Sequence, residues 1–181
     1  MSERLPEHIE PLRLARSLRL LQGQLPLARF TRLVDATESD KGFVNAELEF
    51  SQDSQGQAIV RGRIRCQLRL ICQRCMQTMD WPIDTSFTLA FIESESEIEL
   101  LGEAYEPLIL EDSMLSLVEM LEDELLLVLP IVPSHELDEC EATEILAENT
   151  EDLAEAEEEV PSEKENPFAV LAGLKDLKHK D

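Results

Sequence analysis

Residues 60–72 alternate between apolar and basic side chains, which is the strongest pattern in the chain. Successive side chains of a β-strand point to opposite faces of a sheet. The alternation therefore predicts a strand with one apolar face and one arginine face. The apolar phase holds Val60, Ile64, Cys66, Leu68, Leu70 and Cys72, and the basic phase holds Arg61, Arg63, Arg65 and Arg69, interrupted by Gln67.

Residues 43–50 alternate in the same way, and the polar segment 51–57 that follows has the composition of a turn. Together the two alternating runs predict a hairpin in which Glu47 and Glu49 lie across from the arginines. Cross-strand ion pairs would neutralise part of the arginine face. Two carboxylates cannot neutralise four arginines, so we expect some cationic surface to remain.

The remaining periodicity predicts two more strands and two helices. The first strand begins at Trp81 and Pro82 and alternates over 83–92, and the second is a short edge strand at 105–110. Leucines and valines at three- and four-residue steps predict the main helix over 113–129, which Pro130 ends. A short basic amphipathic helix is predicted over 9–22, ending at Gly23, whereas residues 25–34 fit either a short helix or an extended segment.

These elements predict an α+β fold with a small antiparallel sheet of about four to six strands. The sheet runs through residues 43–110 and is packed by the main helix, with the N-terminal helix over one edge. An open sheet and one curled towards a barrel both fit the pattern. The domain is predicted at 1–140, followed by an acidic flexible linker at 141–165. Residues 166–181 are predicted to form a short terminal helix or partner-binding motif through Phe168, Leu171 and Leu174.

Charge is distributed very unevenly along the 181 residues, whose formal net charge is −23. Residues 1–75 carry 12 basic and 9 acidic side chains, whereas residues 76–181 carry 4 and 30. The asymmetry indicates an acidic tail and a separate cationic surface. No apolar run is long enough to span a membrane, and the polar, acidic N-terminus is unlike a signal peptide. We therefore expect a cytoplasmic protein with reduced cysteines.

Two short motifs form a candidate metal site. Cys72 and Cys75 offer two thiolates at a spacing that suits zinc, and His135 with Cys140 is the only other candidate pair. Four protein ligands would leave no open coordination position, so a bound zinc ion would be structural. A metal-free remnant of such a site and a redox dithiol are the alternatives. Cys66 lies on the apolar strand face and is predicted to be a core residue.

Several motifs occur in a specific order over most of the chain: 70–75 (LICQRC), 103–107 (EAYEP), 118–124 (VEMLEDE), 129–135 (LPIVPSH) with Cys140, and 166–172 (NPFAVLA). In these motifs the chain resembles the YceD-like family, the large ribosomal RNA subunit accumulation proteins of bacteria and plastids. The resemblance implies a role in the synthesis, processing or stability of large-subunit (23S) ribosomal RNA, and hence in ribosome biogenesis. It implies that the paired motifs of the family correspond to Cys72, Cys75, His135 and Cys140.

We therefore expect a non-enzymatic ribosome-assembly factor that binds ribosomal RNA or a pre-ribosomal particle. Its candidate contacts with RNA phosphates are Arg61, Arg63, Arg65, Arg69 and Arg74. The alternative is an acidic adaptor that binds a basic ribosomal protein or an RNA-processing enzyme without touching RNA. A thiol oxidoreductase or a nuclease is disfavoured, because the sequence assembles no nucleophile–base pair.

Overall fold

The computed structural model describes residues 3–102 and 105–143. The predicted terminal segment with Phe168, Leu171 and Leu174 lies outside these residues, as does most of the predicted linker, so the proposed division of the chain stays a prediction. The helices are α1 (Pro11–Arg16), α2 (Thr31–Asp35) and α3 (Leu117–Leu127), with short 3-10 turns at Leu27–Arg29 and Glu95–Leu100. The strands are β1 (Glu3–Arg4), β2 (His8–Ile9), β3 (Leu20–Pro26), β4 (Phe43–Gln52), β5 (Ala58–Ile71), β6 (Thr78–Ile92), β7 (Glu106–Ile109) and β8 (Leu115–Ser116).

The main sheet has six strands in the order β1-β3-β4-β5-β6-β7, and β2 pairs with β8 in a separate two-stranded sheet. The α+β class is confirmed, but the expectation of a purely antiparallel sheet is wrong. Both outer pairs, β1 with β3 and β6 with β7, are parallel. Parallel neighbours need a crossover connection, and the segment between β6 and β7, which contains the second 3-10 turn, provides one.

The sheet does not close into a barrel, because its two edge strands do not pair with each other within the described chain. The edge strands are short: β1 has 2 residues and β7 has 4. The long strands are the three central ones, and β5 and β6 have 14 and 15 residues. The length of β6 arises because it begins at Thr78, three residues before the predicted start at Trp81.

The predicted hairpin is confirmed in both pairing and register. Glu47 lies opposite Arg63, and Glu49 lies opposite Arg61. The turn between β4 and β5 is organised by the Asp53 carboxylate, which accepts hydrogen bonds from the backbone amides of Gln55 and Gln57 at 2.8 and 2.9 Å. This is a local side-chain-to-backbone bond of the kind that favours turns over continued strand.

The predicted N-terminal helix over 9–22 is wrong beyond its first part. Helix α1 ends at Arg16, Leu18 adopts a φ of 50°, and Leu20–Pro26 forms strand β3. Gly23 therefore lies inside a strand, opposite Ala46 of β4. The spacing of the leucines fits both periods over this short run, and pairing with the edge of β4 decides in favour of the strand.

The predicted main helix is present as α3, within narrower bounds, and shares the core with the sheet, whereas the predicted edge-covering helix α1 packs on the strands β4 and β5. Helix α3 begins after Ser116, whose hydroxyl accepts a hydrogen bond from the Glu119 amide at 3.3 Å. This is the N-cap arrangement that satisfies an otherwise unpaired amide. Its apolar side chains join the sheet in one core, in which the rings of Phe50 and Phe91 stack with centroids 6.2 Å apart. None of the helices in the described part of the chain is long and apolar enough to cross a membrane.

Glu122 of α3 is a buried acidic side chain that connects α3 to α2. Its carboxylate accepts a hydrogen bond from the backbone amide of Leu33 at 3.1 Å and another from Arg32 Nε at 2.8 Å. Phe30 precedes α2 and offers no side-chain cap. One of the free amides at the start of α2, that of Leu33, is therefore satisfied by an acceptor from another helix.

Candidate metal centre and arginine face

The first cysteine pair lies in a tight turn at the end of the longest hairpin. β5 ends at Ile71, and the Cys72 amide donates to the Gln77 carbonyl at 2.9 Å. The Met76 amide donates to the Cys72 carbonyl at 2.9 Å. Met76 adopts a φ of 59°, which few non-glycine residues do, and this conformation turns the chain back into β6. The turn places both thiols on the same side.

The second pair of candidate ligands is held against this turn by two hydrogen bonds. The Gln73 amide donates to the Pro133 carbonyl at 2.8 Å. The Arg74 guanidinium donates to the His135 carbonyl. Residues about 60 positions apart in sequence are therefore brought together by backbone contacts as well as by their side chains.

The four predicted ligands, Cys72, Cys75, His135 and Cys140, form one cluster whose ligand atoms all lie within 4.8 Å of one another. The Sγ atoms of Cys72 and Cys140 are 4.0 Å apart, and Cys75 Sγ lies 3.4 Å from His135 Nδ1. In a tetrahedral zinc site the bond lengths require S–S separations of about 3.8 Å and S–N separations of about 3.6 Å. The observed distances and the donor set fit one zinc-sized ion.

Backbone amides stabilise the thiolate form of Cys72, the form in which a cysteine binds a metal. Burial alone would raise the pKa of Cys72, but backbone amides of Cys75, His135 and Arg74 directed at the sulfur lower that pKa to about 5. The His135 amide is 3.5 Å from the Cys72 sulfur. Hydrogen bonds to the charged form of an acid favour ionisation.

The pKa of Cys75 is shifted in the opposite direction. The Gln77 amide favours its thiolate, but burial and the neighbouring thiols of Cys72 and Cys140 outweigh that bond and raise the pKa of Cys75. Thiolates that lie this close repel one another. A divalent cation would remove that repulsion, and metal binding would release protons from the cluster.

Cys66 takes no part in this cluster. It is buried on the core face of β5, opposite Ile83, and burial raises its pKa to about 11. The prediction that Cys66 is a core residue is confirmed. A protonated, apolar-packed thiol is a poor metal ligand and a poor nucleophile.

The four arginines of β5 project from the exposed face of the sheet, as the alternation predicted, but most of them have partners. Arg63 makes two hydrogen bonds of 2.7 Å to the Asp84 carboxylate. Arg65 lies 3.5 Å from both Glu47 and Asp84, and Arg69 lies 3.6 Å from Asp80. The guanidinium of Arg63, and then that of Arg65, lowers the pKa of Asp84.

The carboxylates of β6 were missed by the sequence reasoning. Asp80 and Asp84 belong to the polar phase of β6. The two-residue period that identified the arginine face could therefore also have identified these carboxylates. With Glu47 and Glu49 they place four carboxylates among the four arginines, twice the number that β4 alone supplies.

Arg61 and Arg74 differ from the rest of the predicted RNA contacts. Arg61 is exposed and forms no ion pair with a described residue, although Glu49 is its cross-strand neighbour. Arg74 is partly buried and holds His135 in place through its carbonyl. Arg61 is therefore the most available cation of the strand face, whereas Arg74 contributes to the architecture of the metal cluster.

The fold and the cluster define a small α+β domain with a cysteine–histidine knuckle at one end of its sheet. The sequence model of one family, described as large ribosomal RNA subunit accumulation protein YceD, matches residues 60–175. The chain belongs to this family, which confirms the resemblance seen in the motifs. It is 28% identical over 176 residues to the Large ribosomal RNA subunit accumulation protein YceD of Haemophilus influenzae, an alignment that covers 95% of this chain and 97% of that relative. No solved structure matches the chain.

Proposed function

We propose that this protein is a non-enzymatic ribosome biogenesis factor, acting in the cytoplasm, that is needed for the synthesis, processing or stability of large-subunit (23S) ribosomal RNA. The observation that carries the proposal is membership of a family named for accumulation of that RNA. The four-ligand cluster supports a non-catalytic role for a metal ion held there, because a centre with four protein ligands leaves no position for a substrate.

The decisive experiment is complementation in Haemophilus influenzae lacking its relative of this chain. Expression of the chain should restore the ratio of large-subunit to small-subunit ribosomal RNA. Purified protein incubated with precursor RNA alone should leave that RNA uncleaved. Cleavage by the pure protein would contradict the non-enzymatic role, and failure to restore the ratio at normal protein levels would contradict the proposed function.

Within this function, Cys72, Cys75, His135 and Cys140 would hold one structural zinc ion. The ion would fasten the end of the β5–β6 hairpin to the segment that contains His135, and it would supply no catalytic chemistry. Protein purified without added zinc should contain one metal ion per chain by mass spectrometry. Cys72→Ser should lose the metal, whereas Cys66→Ser, which changes a cysteine outside the cluster, should retain it.

The proposed contacts with RNA are Arg61, Arg63, Arg65, Arg69 and Arg74. Phosphate contacts by Arg63, Arg65 and Arg69 would have to compete with the carboxylates that already pair with them. We therefore expect weak, salt-sensitive binding in which Arg61 contributes most. Charge reversal of Arg61, Arg63 and Arg65 together should abolish it, and unchanged binding would refute RNA contact through this face.

A second candidate function is favoured by the number of carboxylates on the arginine face. If internal pairing leaves too little positive charge for RNA, the protein acts as an acidic adaptor for a basic ribosomal protein or an RNA-processing enzyme. Association of the tagged chain with pre-ribosomal particles separates the two. Association that survives ribonuclease digestion supports the adaptor, and association lost on digestion supports RNA contact.

A further inference from the structure

The first part of β6 has a strand neighbour on one side only within the described chain. β5 pairs with β6 along Thr78–Ala90, whereas β7 pairs with Leu89–Ile92 alone. The edge from 78 to 88 is therefore open to another segment. Pro82 lies in the middle of this edge, which is where a proline without an N–H is tolerated.

A groove of about 530 Å³ lies between this open edge and the segment that carries His135. Its strand wall contains Met79, Trp81 and Pro82, and its opposite wall contains Glu136 and Glu139. A site of this size accommodates a few side chains of a peptide. His135 lines the second wall and is also a member of the four-ligand cluster. The contacts that hold His135 in the cluster therefore also hold this wall of the groove in place.

Large apolar side chains that lie close in sequence to Cys75 and His135 remain exposed. Ile131 is 99% exposed, Leu137 is 67% exposed, and Val132 and Met76 are each 65% exposed. Folding usually removes such side chains from water, and large exposed apolar groups are typical of interaction surfaces. The half-buried indole of Trp81 adds a flat apolar face to the groove.

The acidic side chains of the groove favour a cationic partner over an anionic one. Glu136 and Glu139 form no ion pair with a described residue. Among the described residues, Asp80 pairs only with Arg69, at 3.6 Å. Among the residues that the structure describes, no lysine or arginine lines the groove. Such a surface repels phosphates and attracts cations. A guanidinium or ammonium group near the carboxylates could also rest against the indole face.

We propose that this groove binds an extended segment of a partner protein in which lysine or arginine alternates with large apolar residues. The segment lies along the open edge of β6, its basic side chains reach Glu136 and Glu139, and its apolar side chains cover Trp81 and Leu137. This inference rests on the second candidate function, the acidic adaptor, to which it gives a site and a partner chemistry, and it does not depend on RNA contact through the arginine face.

Trp81 is the one tryptophan of the chain, so its fluorescence reports on the groove directly. The full-length, zinc-loaded chain is titrated with an acetylated octapeptide of alternating arginine and leucine. A peptide with glutamate in place of arginine and a short single-stranded RNA are titrated in parallel. The groove variant is Glu136→Lys with Glu139→Lys. The control variant is Glu95→Lys with Glu99→Lys, two exposed glutamates outside the groove that change the net charge by the same amount.

The basic peptide should bind saturably and change the fluorescence of Trp81. The groove variant should weaken binding at least about tenfold, and the control variant no more than about twofold. A pair of glutamine substitutions at 136 and 139 should give an intermediate loss and checks that the effect does not arise from misfolding. Equal weakening in both lysine variants, or equal binding of the acidic peptide, would overturn the proposal. Saturable binding of the RNA in competition with the basic peptide would overturn it as well, because the occupant would then be a nucleic acid.

Discussion

Replacing Glu122 by alanine should destabilise the domain far more than its position in an acidic run of α3 suggests. The side chain is 3% exposed, and its carboxylate accepts hydrogen bonds from the Leu33 amide and from Arg32. Removal leaves the Leu33 amide at the start of α2 without an acceptor in a buried position. Arg32 is affected less, because it is half exposed and also pairs with Asp123 at 2.8 Å.

Most of the expected loss of stability comes from the Leu33 amide, which is left without a hydrogen-bond acceptor. A buried donor without a partner costs about 1–3 kcal/mol, and the space left by a truncated buried side chain adds about 1 kcal/mol. We therefore expect Glu122→Ala to lower the free energy of unfolding by about 2–4 kcal/mol. Glu122→Gln retains the volume and one acceptor for the amide, so its loss should be about 1 kcal/mol. Arg32→Ala should cost clearly less than Glu122→Ala, because water replaces the carboxylate at an exposed guanidinium.

Urea unfolding followed by Trp81 fluorescence measures all three changes, and amide hydrogen exchange adds a local readout at Leu33. Protection of the Leu33 amide should fall in Glu122→Ala and persist in Arg32→Ala. A loss below about 0.5 kcal/mol for Glu122→Ala would refute the argument. So would an Arg32→Ala variant as unstable as Glu122→Ala, since the ion pair and not the amide would then be the important contact.

Three further predictions concern other parts of the domain. A Cβ at Gly62 would lie 2.0 Å from the ring of Phe87, so Gly62→Ala should cost about 1–3 kcal/mol in urea unfolding, whereas Gly102→Ala, which meets nothing within 4 Å, should be neutral. Burial, and then neighbouring carboxylates, raise the pKa of Glu124 to about 7. The fold is therefore more stable with this carboxyl protonated than with it ionised. This contribution to stability is complete below the ordinary pKa of glutamate and is lost as the pH rises through 7. Glu124→Gln should therefore be about 1 kcal/mol more stable than the wild type at pH 8 and equal at pH 4, a value reduced for the partial exposure of the carboxyl; equal stability at both pH values would contradict the shift. Metal removal by a chelator should expose the Cys75 thiol to alkylation and leave Cys66 protected, as read by mass spectrometry.

Much of the hairpin was predictable because its determinants are local. A two-residue period specifies which side chains share a face, so the arginine face and the core position of Cys66 follow from the order of residues alone. The four candidate ligands were also predictable as one group, since a C-x-x-C motif with a second pair of soft donors matches the ligand chemistry of zinc. The same reasoning found Arg74 but not its contact with the His135 carbonyl, because that contact depends on how a distant segment docks.

Other features depend on which elements meet in space. The segment Leu20–Pro26 fits a helix and a strand about equally, and its pairing with β4 selects the strand. Glu122 belongs to an acidic run that resembles a solvated helix face, and it is buried because α2 begins against it. The partners of the arginines at Asp80 and Asp84 depend on the register of β5 with β6.

The sequence by itself determined the alternating strands, the class of fold and the ligand chemistry of the cluster, because these follow from side-chain period and donor type. Only the tertiary structure decided the parallel edges, the open sheet, the ion pairs of Arg63, Arg65 and Arg69, and the acidic groove beside Trp81. Each of these requires two segments that are far apart in the chain to come into contact. Such contacts depend on how the packing of the whole domain distributes buried surface and satisfied hydrogen bonds, which no local pattern encodes.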